Sequence, residues 1–234
     1  MTREPWQITR EMFLSEDEIE LLLARIDRGI RQADPDRFTH CVDDMIIRSL
    51  LFSGLRNSEF CRLTLADTVI GTGQSTFLVR GTPREDRTVF IPNTLSELIR
   101  QFVSETRPGC LPPGTSPRDL TLPLVFNERG KAYERTGLYR RVVRILTDTG
   151  LGPRASVQLL RHTYGYLAYK RSGGNLLFVQ RQLGHAHPLV TSIYAQFVDE
   201  PYAGLADAVG GLPTAKASKK RPTRSKRVTR SKGN

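Results

Sequence analysis

The chain has 234 residues, 38% of them hydrophobic, which suits one packed domain with extensions. No run approaches the ~20 apolar residues of a membrane-spanning helix, and Met1-Thr2-Arg3-Glu4-Pro5-Trp6 lacks the apolar core of a secretory signal. The net charge of +11 sits mostly in the tail: setting aside the nine Lys and Arg from Lys216 to Lys232 leaves 26 basic residues against 24 acidic ones, so charge alone does not mark the body of the chain as a nucleic-acid binder.

Residues 1–13 read as a short leader. Ser15 then precedes Glu16, Asp17 and Glu18, with Ile19, Leu22, Leu23 and Ile26 at helical spacing, an N-cap with an acidic first turn. A second helix is expected from Thr39 to Ser53, stopped by Gly54. Asn57 or Ser58 is expected to cap a short helix carrying Glu59, Phe60 and Leu63. Between Thr68 and Pro92 the pattern turns to strands: Thr76–Val79 and Arg87–Ile91, joined by a hairpin over 81–86. Asn93 opens a helix with Leu95, Leu98, Ile99 and Phe102, and a Pro- and Gly-rich loop spans Pro108 to Pro117. Further helices are expected over Arg135–Thr149, Ser156–Arg171, Leu176–Leu183 and Pro188–Val198, the last with Pro188 in its first turn. The composition predicts a disordered basic tail. Cys41, Cys61 and Cys110 form no CxxC pair, which fits reduced thiols of a cytoplasmic protein and argues against a cysteine metal site.

Four side chains carry chemistry. Arginine grips phosphate through a planar fork, histidine moves a proton near neutral pH, and a tyrosine hydroxyl can attack phosphorus. Each has an ordinary reading when taken alone. Arg56 is an ion-pair partner for Glu59, Arg161 a structural ion pair, His185 a helix-end cap, and Tyr194 a core or rim tyrosine. Their order and spacing shift the balance. Ser53-Gly54-Leu55-Arg56-Asn57-Ser58-Glu59, Asp86-Arg87-Thr88-Val89-Phe90-Ile91-Pro92, Leu160-Arg161-His162-Thr163, Leu183-Gly184-His185 and Tyr194 follow one another over Leu14–Phe197. This series resembles the tyrosine recombinase (phage integrase) family.

The resemblance implies a mainly helical α+β fold with a small antiparallel sheet, the catalytic-domain fold of the DNA breaking-rejoining enzymes. It places a leader at 1–13, a catalytic domain at 14–205 and the basic tail at 206–234. It implies site-specific recombination or integration, with Tyr194 forming a 3′-phosphotyrosyl bond, Arg56 and Arg161 clamping the phosphate, and His185 hydrogen-bonding it or assisting proton transfer. Neither a cofactor nor a metal is required. The expected partner is double-stranded DNA, bound as a tetramer on paired sites in the cytoplasm, with nucleoid association. Lys219, Lys220, Arg221 and Arg224 of the tail would add sequence-independent phosphate attraction, and Leu205 and Val209 a short apolar contact with a neighbour or with the same subunit.

Two positions depart from the family pattern. Gln158 stands where histidine or lysine is usual, and Thr82 where the hairpin lysine belongs. Arg80 or Arg84 offers charge there but is a poor general acid, because guanidinium stays protonated; Lys131 lies in another loop. A lost general acid lowers rate by roughly 10²–10⁴. Only about 13 residues precede the match, against the separate N-terminal DNA clamp usual in the family, which reads as a minimal recombinase, a fragment or a degenerate relative. The competing expectations are a weakened or inactive DNA-binding relative, a type IB topoisomerase-like enzyme, and an RNA binder, the last lacking any aromatic RNP-like motif.

Overall fold

The computed structural model describes residues 8–32, 37–71, 73–81 and 85–198. Helix α1 (Glu16–Gln32) starts with a reciprocal cap: Glu18 N–H donates to Ser15 Oγ (3.1 Å) and Ser15 N–H to the Glu18 carboxylate (2.8 Å). Its stripe of Ile19, Leu22 and Ile26 is buried. Helix α2 (Arg37–Ser53) is the central element. Met45, Ile46, Ile47, Leu50 and Leu51 are all fully buried, because α1 and three helices that follow the sheet cover it on several sides.

The short α3 (Asn57–Arg62) begins one residue earlier than its sequence suggests. Arg56 is the N-cap, and its N–H donates to Glu59 Oε2 (2.7 Å). Asn57 is therefore the first helical residue, with its side-chain amide donating to the Arg135 carbonyl (2.9 Å).

The sheet has three antiparallel strands in the order β1 (Thr68–Val69), β2 (Thr76–Val79), β3 (Arg87–Phe90). The expected hairpin is β2–β3; β1 is two residues long, too short for alternation to announce it. Phe77 pairs with Val89 and Val79 with Arg87, so Phe77, Val79 and Val89 share the buried face.

Beyond the sheet come α4 (Asn93–Gln101), α5 (Arg135–Leu146), α6 (Val157–Arg171), α7 (Leu176–Leu183) and α8 (Leu189–Ser192). Ser156 caps α6 by accepting from Leu159 N–H (3.0 Å), and Asn175 caps α7 by accepting from Phe178 N–H (2.9 Å). Two expected helices are shorter. The one ending at Thr149 stops at Leu146 and continues as a wider turn over Thr147–Leu151. The one expected over Pro188–Val198 is a single turn, α8, and Tyr194 lies in the turn that follows, ahead of a 3-10 turn at Ala195–Phe197.

Residues 8–13, read above as leader, pack against α6 and the Tyr194 segment. Ile8 and Phe13 are buried, and the Phe13 ring stacks on Tyr166 at 4.5 Å and meets Phe197 edge-on at 4.9 Å. They close a second apolar cluster with Tyr164, Val179, Leu183 and Tyr194. Among the described residues no helix is long and apolar enough to cross a membrane.

Candidate active site

The C-terminal end of α7 organises the site. A helix ends with carbonyls that lack intrahelical donors and carry the negative pole of its dipole. Here Gly184 turns into the left-handed region (φ +63°), so that His185 N–H reaches back to the Gln180 carbonyl (3.1 Å) and Gly184 N–H to that of Arg181 (3.3 Å). The carbonyls of Gln182, Leu183 and Gly184 stay open, and three arginines fill them. Arg87 Nε donates to Gln182 O (3.3 Å), Arg161 to Leu183 O (2.7 Å) and Arg56 to Gly184 O (3.0 Å). Arg161 also donates to the Gly54 carbonyl at the end of α2.

Glu59 is the carboxylate that Arg87 and Arg56 share. Arg87 holds it with both guanidinium nitrogens (2.8 Å each), and Arg56 bonds the same group at 2.7 Å. Burial works to raise its pKa, but the hydrogen bonds from Arg87 and Arg56 prevail and hold it at about 2. Two guanidinium groups on one carboxylate leave an excess of positive charge. Burial, then the Arg56 charge, lowers the Arg161 pKa to about 9.

α7 is fixed to the sheet by Gln182. Its amide accepts from Phe90 N–H (2.9 Å) and donates to Phe90 O (3.2 Å), completing the edge of β3 as another strand would. Arg56, Arg87 and His185 then line an open groove of about 1210 Å³, joined by Arg62, Arg80 and Arg181. His185 turns Nδ1 to Thr191 Oγ1 (2.9 Å). Burial, then the Arg161 and Arg56 charges, lowers its pKa to about 4, so the ring is neutral at pH 7.

Tyr194 lies to one side of this arrangement. It is 1% exposed, and its hydroxyl contacts His162 Nδ1 at 3.0 Å rather than a guanidinium. Burial pushes the hydroxyl up to about 12 against the pull of the Arg161 charge. His162 Nε2 meets the amide nitrogen of Gln158 (3.0 Å), one turn back on α6.

Of the residues singled out from sequence, Arg56, Arg161 and His185 therefore meet at one helix end, and Tyr194 is held beside them against the helix that carries Arg161. Gln158 is at the exposed edge of α6. Arg80 faces the groove but is held by Asp67 and Asp86 (3.0 Å each). Lys131, in the turn between Phe126 and Ala132, does not line it. Thr82, Arg84, Leu205, Val209, Lys219, Lys220, Arg221 and Arg224 lie outside the described residues. Arg87, Gln182, His162 and Thr191 were not singled out. Arg87 and His162 stand inside the recognised motifs, whereas Gln182 and Thr191 carry no signal except their places beside Leu183 and Tyr194. Among the described residues no three His, Cys, Asp or Glu side chains are grouped as a metal ion would require.

The model of the phage integrase family matches residues 12–200. The chain belongs to this family. It is 28% identical over 186 residues to the tyrosine recombinase XerH of Helicobacter pylori, covering 79% of this chain and 48% of that one. It is 29% identical over 182 residues to XerC of Halalkalibacterium halodurans, covering 78% and 56%. The fold resembles XerH in a post-cleavage complex with a palindromic difH substrate (TM-score 0.66, 26% identity, 85% of this chain and 53% of that one). A lambda integrase dimer on a COC′ core site shares the fold alone (TM-score 0.53, 17% identity, 82% and 62%). The family chain thus has the mainly helical catalytic-domain fold with a small antiparallel sheet, and it spans about half the length of these curated relatives.

Proposed function

We propose that this chain cuts and rejoins double-stranded DNA at specific sites, as the reactive part of a tyrosine recombinase. The carrying observation is the gathering of Arg56, Arg161 and His185 at the end of α7, with Tyr194 held against α6. Phosphoryl transfer loads negative charge onto the non-bridging oxygens, and preorganised cations lower that barrier. Arg56 and Arg161 take those oxygens, exchanging carbonyl partners for phosphate. His185, neutral and fixed through Nδ1, offers Nε2 to the same phosphate. Tyr194 Oη attacks phosphorus and loses its proton; the P–O5′ bond breaks, and the leaving oxygen takes up a proton as a 5′-hydroxyl. A 5′-hydroxyl then attacks the 3′-phosphotyrosyl bond and releases the tyrosine. The phosphodiester is conserved in the covalent link.

Because Tyr194 is buried, its turn must open before it reaches DNA. Without the hairpin lysine, protonation of the leaving oxygen is the weak step, since Arg80 is a poor acid. The family resemblance further supports a tetramer on paired sites, a cytoplasmic setting, a catalytic domain spanning 14–205 and a tail at 206–234 that adds affinity. The test is a labelled duplex with a nicked suicide site. A covalent protein–DNA product that disappears in Tyr194→Phe supports the reading. Binding without any covalent product makes the chain a DNA-binding relative instead.

A further inference from the structure

Five arginines line the groove at the end of α7, and their partners divide them. Arg56 and Arg87 share Glu59, and Arg80 is held by Asp67 and Asp86. Arg62 and Arg181 have no such hold. Among the described residues neither guanidinium has a hydrogen-bond or ion-pair partner, and both residues are exposed. Glu85, the other carboxylate on the lining, is bonded to neither. A guanidinium already joined to a carboxylate has most of its charge answered inside the protein. Arg62 and Arg181 present theirs to whatever enters the groove.

Their places in the fold give that charge a use. Arg62 ends α3, whose N-cap is Arg56, and Arg181 stands in the last turn of α7, three residues before Gly184. The bond from Arg56 to the Gly184 carbonyl joins those two helices, so one unpaired arginine lies on each side of the junction where the reacting phosphate is to be gripped. Six residues of helix rise about 9 Å, and a DNA strand carries a phosphate every ~3.4 Å of its axis. A duplex with one phosphate at Arg56 therefore has others within the length of α3. We propose that Arg62 and Arg181 bind phosphates of the duplex on either side of the cleaved position, supplying affinity and alignment while Arg56 and Arg161 act on the reacting phosphate. Arg56 must give up a carbonyl to take phosphate; Arg62 and Arg181 give up only water. Contacts of this kind set the register of the duplex without reading its sequence.

The inference rests on the recombinase reading for its ligand, and its test separates the two. Anisotropy of a labelled duplex titrated with the full chain at several salt concentrations counts the phosphate contacts. Arg62→Ala and Arg181→Ala should each lower the slope of log affinity against log salt by ~0.9, and weaken binding about eightfold at ~0.1 M salt, the counterion release of one phosphate. The double variant should lose about twice that slope. Arg62→Lys and Arg181→Lys should restore it, because lysine meets phosphate as a point charge. Arg31→Ala, which removes an exposed arginine of α1 outside the groove, should bind as the parent does. A double alanine variant with the parent's slope, or a loss as large in Arg31→Ala, would overturn the assignment. Covalent product on the suicide duplex alongside an unchanged slope in the double variant would strike this inference and leave the recombinase reading standing. Reduced slopes with no covalent product in the parent chain would retire the recombinase reading and leave the two arginines as duplex contacts.

Discussion

At the scale of single residues, the site is built from side chains whose partners decide their charge. Glu59 is the clearest. It is an ionised carboxylate only because Arg87 and Arg56 outweigh its burial. Its folded pKa, about 2, lies below the ordinary 4.5, so its stabilising contribution is complete above pH 4.5 and is lost as the pH falls toward 2. Denaturation midpoints of the parent chain should drop across that window, and in Glu59→Gln the drop should be reduced while stability at pH 7 is already lower. An identical acid profile in the variant would show that Glu59 is not under this tension. Arg56, Arg161, His185 and Tyr194 are legible in the motifs because each has its reactive group written in its identity. Gln182 is not, because that residue's work is a shape, an amide matched to the Phe90 backbone, which no residue type announces.

Among elements, α7 matters most for its size. It has eight residues, yet its last turn anchors three arginines and its Gln182 docks the sheet. Gln182→Leu should leave the Phe90 N–H and carbonyl without those partners, costing about 1–3 kcal/mol and accelerating hydrogen exchange along β3; unchanged exchange at Phe90 would contradict the docking role. Gly184→Ala should cost at least the ~1–2 kcal/mol of a left-handed alanine, and more because a Cβ would stand 2.8 Å from Arg87 Nε. Urea denaturation measures both. The long helices α1, α2 and α6 were legible because their caps and apolar spacing agree. The segment after Pro188 was not. Leu189, Ile193 and Phe197 keep a helical spacing, yet Tyr194 and Phe197 are drawn onto α6 and the 8–13 segment, and tertiary packing overrides the period there.

For the molecule as a whole, two histidines, His162 buried and His185 half-buried, set the acid response at higher pH than Glu59 does. His162 and His185 are both held at about 4, by burial and by the Arg161 charge, against an ordinary 6.5. The unfolded chain therefore takes up their protons first. Stability should be flat above pH 6.5 and fall as the pH is lowered toward 4. His185→Asn should remove part of that fall, as urea midpoints from pH 4 to 7 would show; a parent chain equally stable at both ends would refute the assignment. Binding to duplex DNA, if the basic groove carries it, should weaken linearly in log–log plots against salt, with a shallower slope in Arg56→Ala.

Arg161 is a tie rod as much as a charge. Its guanidinium joins the carbonyl that closes α2 to the one that closes α7, two stretches of chain more than a hundred residues apart. An alanine at this position would remove a buried charge beside Arg56 and also uncouple those two helix ends, so a dead Arg161→Ala protein would say little about phosphate chemistry by itself. Lysine, with charge but a single point of attachment, is the substitution that separates the two jobs.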